Sequence, residues 1–336
     1  MPLEIVDGEE GIARAAERLR AGGLAVIPTE TVYGLGADAR DPAAVAAIFR
    51  VKGRPSDNPL IVHVADAAAA EAIASEWPDA ARVLAAACWP GPLTLVVSHA
   101  GSIAPATTAG GATVALRVPD HPVALAVLRA AGVPVAAPSA NRSERLSPTT
   151  AEAVLEALGA VDAEIPVVDG GACRVGIEST VLDMTCDPPR ILRPGMLSRA
   201  RLEEILGAPV LEGPVDDDGP VRSPGRHPRH YAPSAPVVLV PADALPTFVF
   251  APGDAILWRT CWPGAALARA GDPAAFVAAG MPLGVDAYAA ALYSRLRFLD
   301  RSGVARIVVE APPERREWAA VADRLRRAAT PAESAP

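Results

Sequence analysis

The sequence predicts an α/β fold in two parts, a larger mixed sheet with packed helices followed by a smaller α/β unit. Over the first 205 residues, short apolar strands adjoin amphipathic helices, and several of these strands follow one another directly. This pattern favours a mixed sheet covered by helices. A stretch rich in proline and charge then breaks the periodicity, and strands resume at Val237. We therefore predict a first domain at 1–205, a linker at 206–236 and a second domain at 237–330.

Capping residues mark the helices of the first part. Asp41 and Pro42 predict the start of a helix, as an N-cap followed by a first-turn proline. Thr149 and Glu152 have the spacing of a capping box, which predicts a helix over 150–158. The predicted strands are the apolar runs LAVIPT, PLIVHV, LTLVVS, ATVALRV, VPVAAPS, IPVVDGG, STVLDM and RILR.

The second part repeats the alternation on a smaller scale. The runs VVLVP, DAILW and VARIVVEA predict strands. Asp272 and Pro273 predict the start of a helix, a second helix is expected over 286–300, and a last one ends near Ala328. About 100 residues is a reasonable size for a small domain of this kind.

Composition predicts a cytoplasmic protein without a membrane segment. No apolar run approaches the roughly 20 residues that a membrane-spanning helix needs. Four cysteines lie far apart with no C-x-x-C pair, which fits a reducing compartment and predicts neither a disulfide framework nor a cysteine zinc site. The net charge of −8 argues against a generic nucleic-acid binder, which usually shows a basic excess.

Lysine is almost absent from the chain. Of 31 basic residues, Lys52 alone is lysine, and the others are arginine. A lysine that survives such a bias is a candidate for chemistry that a planar guanidinium does not perform, although chance survival explains it equally well when it is considered alone. Arg54 follows closely, and two cations at a helix end suit a polyphosphate.

The standard nucleotide motifs are missing, and polar clusters at strand ends take their place. Lys52 is not part of a Gly-Lys-Ser/Thr loop, and Gly34-Leu35-Gly36 lacks the third glycine of the dinucleotide fingerprint. Each cluster alone is ordinary loop chemistry, but together they predict a shared ligand site. The clusters are Thr29-Glu30-Thr31, Lys52 to His63, Thr113 with Arg117 on one face of a strand, Ser139 with Ser147, Glu178-Ser179-Thr180, and Arg193-Pro194-Gly195.

The order of these motifs resembles the YrdC/Sua5 family over roughly residues 10–200. The linker residues SPG and RHYAP, together with the helix LYSRLRFLD, also resemble the longer Sua5 branch with its additional C-terminal domain. The resemblance implies a YrdC-like domain of twisted mixed sheet with packed helices, followed by a smaller Rossmann-like α/β domain. The motifs that carry it are PTETVYGLG, KGRPSDNPLIVHV, WPGPLTLVV, TVALRVP, APSANRS, GIESTV and ILRPG.

Members of this family are L-threonylcarbamoyladenylate synthases, a nucleotidyltransferase activity. The resemblance implies that L-threonine and bicarbonate give a carbamate, which attacks the α-phosphorus of ATP and expels pyrophosphate, with Mg²⁺ as the cofactor. The product would pass to a downstream tRNA threonylcarbamoyl-transferase machinery that makes N6-threonylcarbamoyladenosine, and weak contact with RNA is a secondary expectation. The resemblance gives no metal ligand among the protein side chains.

The family motifs imply a role for each matching residue. Lys52 and Arg54 would be catalytic, stabilising negative charge as it moves. Tyr231 would reach back from the linker to ATP and make the linker a lid. L-threonine would be bound by Thr31, His63, Arg117, Ala137 and Ser179, and ATP by Arg54, Asn58, Thr113, Ser139, Ser147, Arg193 and Tyr231.

Two alternatives stay open at the level of sequence. The first is a module that binds double-stranded RNA, since several arginines near Lys52 and Ser139 would line a basic concavity; the acidic total and the sparse aromatics argue against it. The second is a carbamoyl-transfer domain of the hydrogenase-maturation type, although the fused acylphosphatase and zinc-finger segments of such proteins are not evident.

Overall fold

The computed structural model describes residues 3–161, 164–213 and 230–330. The chain divides into two compact units that interleave along the sequence. Unit 1 consists of Met1–Ser143, Ser147–Arg174 and Glu178–Arg226, and unit 2 of Glu144–Leu146, Val175–Ile177 and His227–Pro336. Most of the predicted linker, namely 214–229, lies outside the described residues.

Unit 1 is built on one mixed sheet of eleven strands, in the order β1-β8-β2-β3-β7-β4-β6-β5-β9-β10-β11. β2 pairs antiparallel with β3, whereas β4 pairs parallel with β6. The strands are β1 Glu4–Val6, β2 Ala25–Ile27, β3 Gly34–Asp38, β4 Ile61–His63, β5 Leu93–Ser98, β6 Thr113–Arg117, β7 Val135–Ala136, β8 Pro166–Val168, β9 Thr180–Asp183, β10 Arg190–Arg193 and β11 Leu211–Glu212.

The central strands of unit 1 are buried along almost their whole length. Leu95 of β5 and Leu116 of β6 lie opposite each other in register, and both belong to the main core together with Val62. Continuous burial explains the nearly uninterrupted apolar runs of these strands. The helices that pack on the sheet are α1 Gly8–Arg20, α2 Pro42–Lys52, α3 Ala67–Glu71, α4 Asp79–Cys88, α5 Pro122–Ala131, α6 Ala151–Leu158 and α7 Arg199–Leu206.

The start of α2 follows the predicted capping pattern. The Asp41 side chain accepts hydrogen bonds from the backbone N–H groups of Ala43 and Ala44, and Pro42 occupies the first turn. Gly53 ends the helix in the left-handed conformation, with φ of 60°. These caps fix where α2 stops, and therefore where Lys52, its last residue, is placed.

One predicted cap was wrong by one position. Thr150, and not Thr149, is the N-cap of α6, and its hydroxyl accepts from the backbone N–H of Ala153. Thr149 is instead buried, and its carbonyl accepts from the backbone N–H of Cys173. Two adjacent threonines offer the same chemistry, so the sequence pattern does not distinguish them.

Unit 2 contains a four-stranded, fully parallel sheet in the order β12-β15-β13-β14. The helix predicted from Asp272 is wrong: Pro273–Ala275 forms a single 3-10 turn, and the chain continues as an edge strand, β14. The elements are β12 Val237–Val240, β13 Asp254–Trp258, α8 Gly264–Ala270, β14 Val277–Gly280, α9 Val285–Arg301, β15 Arg306–Glu310 and α10 Ala319–Ala329.

The predicted fold class is confirmed: a mixed sheet with packed helices forms the larger unit, and a smaller parallel α/β unit accompanies it. Among the helices of the described residues, none has both the length and the apolar character needed to cross a membrane.

The caps of α1 and α2 supply a matched test of the first unit's local stability. Asp41 makes two cap hydrogen bonds, whereas Asp7, the N-cap of α1, makes none through its side chain. Asp41→Ala is expected to cost about 1 kcal/mol locally, so amide hydrogens of α2 should exchange roughly fivefold faster. Mass spectrometry of deuterated peptides measures this, with Asp7→Ala as the control that leaves α1 nearly unchanged. Equal effects in the two variants would contradict the role given to the cap.

Candidate functional site

Backbone hydrogen bonds bring three sequence-distant motifs of unit 1 together. The N–H of Leu35 donates to the carbonyl of Pro138 at 2.8 Å, and the N–H of Ala140 donates to the carbonyl of Tyr33 at 2.8 Å. The N–H of Tyr33 in turn donates to the carbonyl of Pro148 at 3.0 Å. The PTETVYGLG, APSAN and SPTT segments therefore form one surface at the ends of β2, β3 and β7.

A glycine permits this close approach. A Cβ added to Gly34 would lie 3.2 Å from the Cβ of Ala137, which is tighter than ordinary van der Waals contact. The backbone N–H of Ala137 also donates to the carbonyl of Ile61 at 2.9 Å. Ala137 is thereby held beside β4 and against the glycine of the first motif, as a small residue in a crowded position.

Arg117, at the end of β6, is the buried cation of the site. Its Nη1 donates to Thr31 Oγ1 at 2.9 Å, and its Nε donates to the carbonyl of Gly91 at 3.3 Å. Its Nη2 lies 2.7 Å from Oε2 of Glu30, and the side chains of this pair are 4% and 1% exposed. Thr29 supports the contact, because its hydroxyl lies 2.8 Å from that of Thr31.

His63 occupies the strand position beside Arg117. The two residues are partners in the parallel register of β4 and β6, so their side chains lie on the same face of the sheet. Burial, with a further contribution from the Arg117 charge, lowers the pKa of His63 to about 3. His63 is therefore a neutral imidazole at physiological pH, and its Nδ1 has no hydrogen-bond partner among the described residues.

The ammonium of Lys52 is held on the segment that carries Ser139. Nζ donates to the carbonyls of Ser139 at 2.5 Å and of Asn141 at 2.6 Å, and the residue is 2% exposed. Burial, followed by the nearby Arg54 charge, moves the pKa of Lys52 well below the ordinary lysine range. Both contacts of Nζ are to neutral oxygens, so a negative ligand beside Lys52 would compensate a charge that burial has made costly.

Arg54 and Asn58 lie on the turn that leads from α2 into β4. The guanidinium of Arg54 donates to the carbonyl of Pro59 at 3.1 Å and, more weakly, to that of Asn58 at 3.4 Å. Both residues are buried, and Oδ1 of Asn58 has no hydrogen-bond partner among the described residues. The turn therefore presents a second cation close in sequence to Lys52, together with an amide oxygen that can accept a ligand donor.

A second group of contacts surrounds Ser179, at the start of β9. Its hydroxyl lies 2.8 Å from that of Thr94, and Arg193 donates to both its hydroxyl and its carbonyl at 3.1 Å. A Cβ on Gly195 would lie 2.2 Å from the backbone nitrogen of Thr180, so the RPG turn can only close against β9 as glycine. This group is connected to Arg117 through the start of β5. Thr94 lies in that strand, and Gly91, three residues earlier, accepts a hydrogen bond from Arg117.

Ser147 forms a hydrogen bond with Glu178. Its hydroxyl donates to Oε1 of Glu178 at 2.6 Å, and both residues are buried. The next residues along the chain extend the connection, because Pro148 accepts from Tyr33 and Glu178 precedes Ser179. Ser147 is thus linked to the first motif on one side and to β9 on the other.

Two of the residues predicted to bind ATP are placed differently from the rest. Thr113 is half-buried at the first residue of β6, at the opposite end of the strand from Arg117. Tyr231 belongs to unit 2, where it is buried and stacks on the ring of Tyr293 at 5.9 Å between centroids. Its φ of 58° is uncommon for a residue with a side chain. For both residues the role in ATP binding stays a prediction.

Two further residues belong to the site although the sequence assigned neither of them to a particular substrate. Glu30 belongs to the Thr29-Glu30-Thr31 cluster, which the sequence predicts to offer hydroxyl and carboxylate ligands, and the structure buries it against Arg117. Thr94 was placed inside an apolar strand, and the structure pairs its hydroxyl with Ser179. A signal exists for Thr94, since a polar residue inside an otherwise apolar strand requires a partner when it is buried.

The arrangement suits an anionic ligand that also carries hydroxyl or amide groups. Lys52, Arg54, Arg117 and Arg193 are all buried on unit 1. The hydroxyl of Thr31 accepts from Arg117, and that of Ser179 accepts from Arg193. Within 3–161, 164–213 and 230–330, no group of three or more His, Cys, Asp or Glu side chains is placed to hold a metal ion.

The chain matches two family models that together cover most of its length. Residues 17–195 match the Sua5/YciO/YrdC model, described as telomere recombination. Residues 197–330 match the model described as the C-terminal domain of threonylcarbamoyl-AMP synthase.

Individual relatives agree with these models. Threonylcarbamoyl-AMP synthase of Pyrococcus abyssi is 40% identical over 323 residues, which are 94% of this chain and 92% of the relative. The Bacillus subtilis enzyme of the same name is 46% identical over 239 residues, 70% of this chain and 68% of the relative. The crystal structure of P. abyssi Sua5 complexed with L-threonine superimposes with a TM-score of 0.84 at 36% identity and covers 98% of both chains. This chain therefore belongs to the Sua5/YciO/YrdC family, and it carries the Sua5 C-terminal domain as well.

Proposed function

We propose that this chain is a threonylcarbamoyl-AMP synthase, which forms the adenylate and pyrophosphate from L-threonine, bicarbonate and ATP. The observation that carries the proposal is the burial of four cations on unit 1: Lys52, Arg54 and Arg193 donate to carbonyl or hydroxyl oxygens, and Arg117 pairs with Glu30. Such a site attracts an amino-acid carboxylate and a triphosphate together. The relatives named above, one of them solved with L-threonine, support this assignment.

The chemistry requires positioning and charge compensation rather than a protein nucleophile. The amine of threonine combines with bicarbonate to give a carbamate and water, and a carbamate oxygen then attacks the α-phosphorus while pyrophosphate leaves. Phosphoryl-type transfers of this kind are accelerated mainly by holding the reactants in line and by neutralising charge. Because the site is buried, it also excludes water, which would hydrolyse the labile carbamate and adenylate.

In this proposal, Arg117 pairs with the carboxylate of threonine and Lys52 lies against the carbamate and the phosphate. The Arg117 fork already spans Thr31, Gly91 and Glu30, so its plane is fixed before the substrate arrives. Lys52 has a third ammonium hydrogen beyond the two that it donates to backbone carbonyls. The other proposed threonine contacts are His63, Ala137 and Ser179, and the proposed ATP contacts are Arg54, Asn58, Thr113, Ser139, Ser147, Arg193 and Tyr231.

We also propose that Mg²⁺ accompanies ATP. Mg²⁺ prefers oxygen ligands and is often held by substrate phosphates with few protein carboxylates. A site without a cluster of three potential metal ligands among the described residues fits an ion held largely by phosphate oxygens and water. The ion would neutralise phosphate charge, while the side chains bind and orient the substrates.

We propose a cytoplasmic location and a downstream tRNA threonylcarbamoyl-transferase machinery as the acceptor of the product.

The first prediction concerns the product itself. The purified chain with ATP, Mg²⁺, bicarbonate and L-threonine is expected to release pyrophosphate and to form threonylcarbamoyl-AMP, identified by mass spectrometry. Serine, which lacks one methyl group, is expected to react about 10- to 200-fold less efficiently. Carbamoyl phosphate in place of threonine and bicarbonate separates this activity from carbamoyl transfer. Pyrophosphate release that depends on neither threonine nor bicarbonate would refute the proposal.

The second prediction concerns Lys52. Lys52→Ala is expected to lower the rate of adenylate formation at least about 100-fold, because it removes a preorganised charge from the reacting groups. Arg50→Ala is the matched control, since it removes an exposed cation two residues earlier on the same helix. Initial rates of pyrophosphate release measure both variants, with circular dichroism as the check on folding. A Lys52→Ala rate near that of the unaltered chain would contradict the charge-stabilising role.

The third prediction concerns Thr94, whose hydroxyl holds Ser179. Thr94→Val keeps the shape of the side chain but loses this hydrogen bond, which is worth about 1 kcal/mol. The KM for threonine should therefore rise roughly fivefold while the KM for ATP changes less. Thr107→Val is the control, because Thr107 is a buried threonine whose hydroxyl bonds to the carbonyl of Ala39 instead. If the two variants alter the KM for threonine equally, Thr94 has no special part in positioning Ser179.

A further inference from the structure

Glu30 is a buried carboxylate to which no donor among the described residues forms a hydrogen bond. The residue is 1% exposed, and among the described residues neither of its oxygens has a hydrogen-bond partner. A carboxylate offers about four lone-pair sites, and buried polar groups are normally satisfied. Glu30 therefore has acceptor capacity that the described part of the chain does not use.

The neighbouring cation, Arg117, also has a hydrogen-bonding group that is not used among the described residues. Nη2 of Arg117 lies 2.7 Å from Oε2 of Glu30, yet the geometry is that of an ion pair and not of an aligned hydrogen bond, since Nη2 also has no hydrogen-bond partner among the described residues. The remaining nitrogens of Arg117 are engaged by Thr31 and Gly91. Unused donor and acceptor capacity thus occur side by side in one buried pair.

An α-amino acid has the complementary arrangement. Its ammonium and carboxylate are attached to one carbon, so the zwitterion can lie antiparallel to the pair of Glu30 and Arg117. The carboxylate of the ligand then contacts the guanidinium of Arg117, and its ammonium contacts the carboxylate of Glu30. His63 is not an alternative charge partner for the ammonium, because its imidazole is neutral. The other acidic residue of the site, Glu178, is bonded to the hydroxyl of Ser147.

We propose that Glu30 binds the α-ammonium of the amino-acid substrate and is the first acceptor of its proton. The inference rests on the proposed function for the identity of the substrate. An ammonium is not nucleophilic, so one proton must leave before a C–N bond can form. Transfer of that proton to Glu30 gives the free amine and the neutral carboxylic acid. The amine then attacks the carbon of bicarbonate, and a carbamate and one water result; Glu30 later returns its proton to solvent.

The neutral acid has a second consequence. Once the carbamate has formed, the substrate carries an additional negative charge in place of its former positive one. A Glu30 carboxylate in the same buried site would repel it, whereas the protonated acid does not, and it can donate a hydrogen bond. Proton transfer to Glu30 therefore favours the product of the first step as well as the reactive form of the amine.

Binding of two ligands tests the ammonium contact directly. The full-length chain is titrated calorimetrically with L-threonine and with (2S,3R)-2,3-dihydroxybutanoate, in which a hydroxyl replaces the amine. The unaltered protein is expected to bind threonine at least about 30-fold more tightly, since a buried charge partner is lost with the amine. Equal affinities for the two ligands would overturn the proposal. The experiment uses the unaltered protein only, so its outcome does not depend on whether a variant folds.

The variant Glu30→Gln keeps the shape of the side chain and removes its charge. It is expected to bring the affinity ratio of the two ligands below about threefold, mainly by weakening threonine. Glu310→Gln is the matched control, because Glu310 is also 1% exposed but lies at the end of β15 in unit 2. Glu310→Gln should leave the affinity ratio of the two ligands the same as in the unaltered protein. An unchanged ratio in folded Glu30→Gln would overturn the ammonium contact.

Turnover separates proton acceptance from binding. With threonine at saturation, Glu30→Gln should release pyrophosphate at least about 100-fold more slowly, as expected for loss of a proton acceptor. A saturating rate equal to that of the unaltered chain would overturn the proton-accepting role. If the unaltered chain forms no threonylcarbamoyl-AMP at all, the proposed function fails, and the affinity ratio still decides whether Glu30 binds an ammonium.

Discussion

The buried guanidinium of Arg117 is the constraint on which the rest of the site depends. A cation that is 3% exposed at the end of a central strand is tolerated only when its donors are engaged. Two stretches of the chain meet most of this need: Thr31 and Gly91 accept hydrogen bonds from Arg117, and Glu30, next to Thr31, supplies the counter-charge. The loop after β2 and the turn before β5 are consequently fixed around one group. Removing that group would leave a carboxylate buried without its counter-charge, so the cation and its surroundings are retained together.

The same principle extends to the other cations, with a difference in the type of partner. Lys52 is held by the carbonyls of Ser139 and Asn141, and the contacts of Arg54 and Arg193 include carbonyls of Pro59 and Ser179. Carbonyl oxygens orient a cation without cancelling its charge. A site built in this way keeps a positive field in a poorly screened interior, where it acts most strongly on phosphate and carboxylate groups. Folding therefore bears the cost of burying the charges, and a ligand meets them already in place.

The sequence predicted the local elements better than their arrangement. Asp41, Pro42 and Gly53 mark α2 because caps depend on residues that are adjacent along the chain. In contrast, β8 lies between β1 and β2, and β7 lies between β3 and β4, although each is distant in sequence from its neighbours. Such pairings are selected by the packing of the whole sheet, which no local pattern encodes. The helix expected from Asp272 shows the same limit: its cap forms, since Asp272 accepts from the N–H of Ala274, but the following residues pair with β13 instead.

The site residues divide in the same way. Motifs identified Thr31, Lys52, Arg117 and Ser179, because their residue types are conspicuous at strand ends. Glu30 and Thr94 acquire their meaning from partners that are distant in sequence, namely Arg117 and Ser179. A glutamate between two threonines is ordinary in a loop, and its significance arises only when burial removes water as its alternative partner. The physical information that the sequence lacks is therefore burial itself. A polar atom becomes evidence for a ligand when the fold excludes solvent from it and provides no substitute.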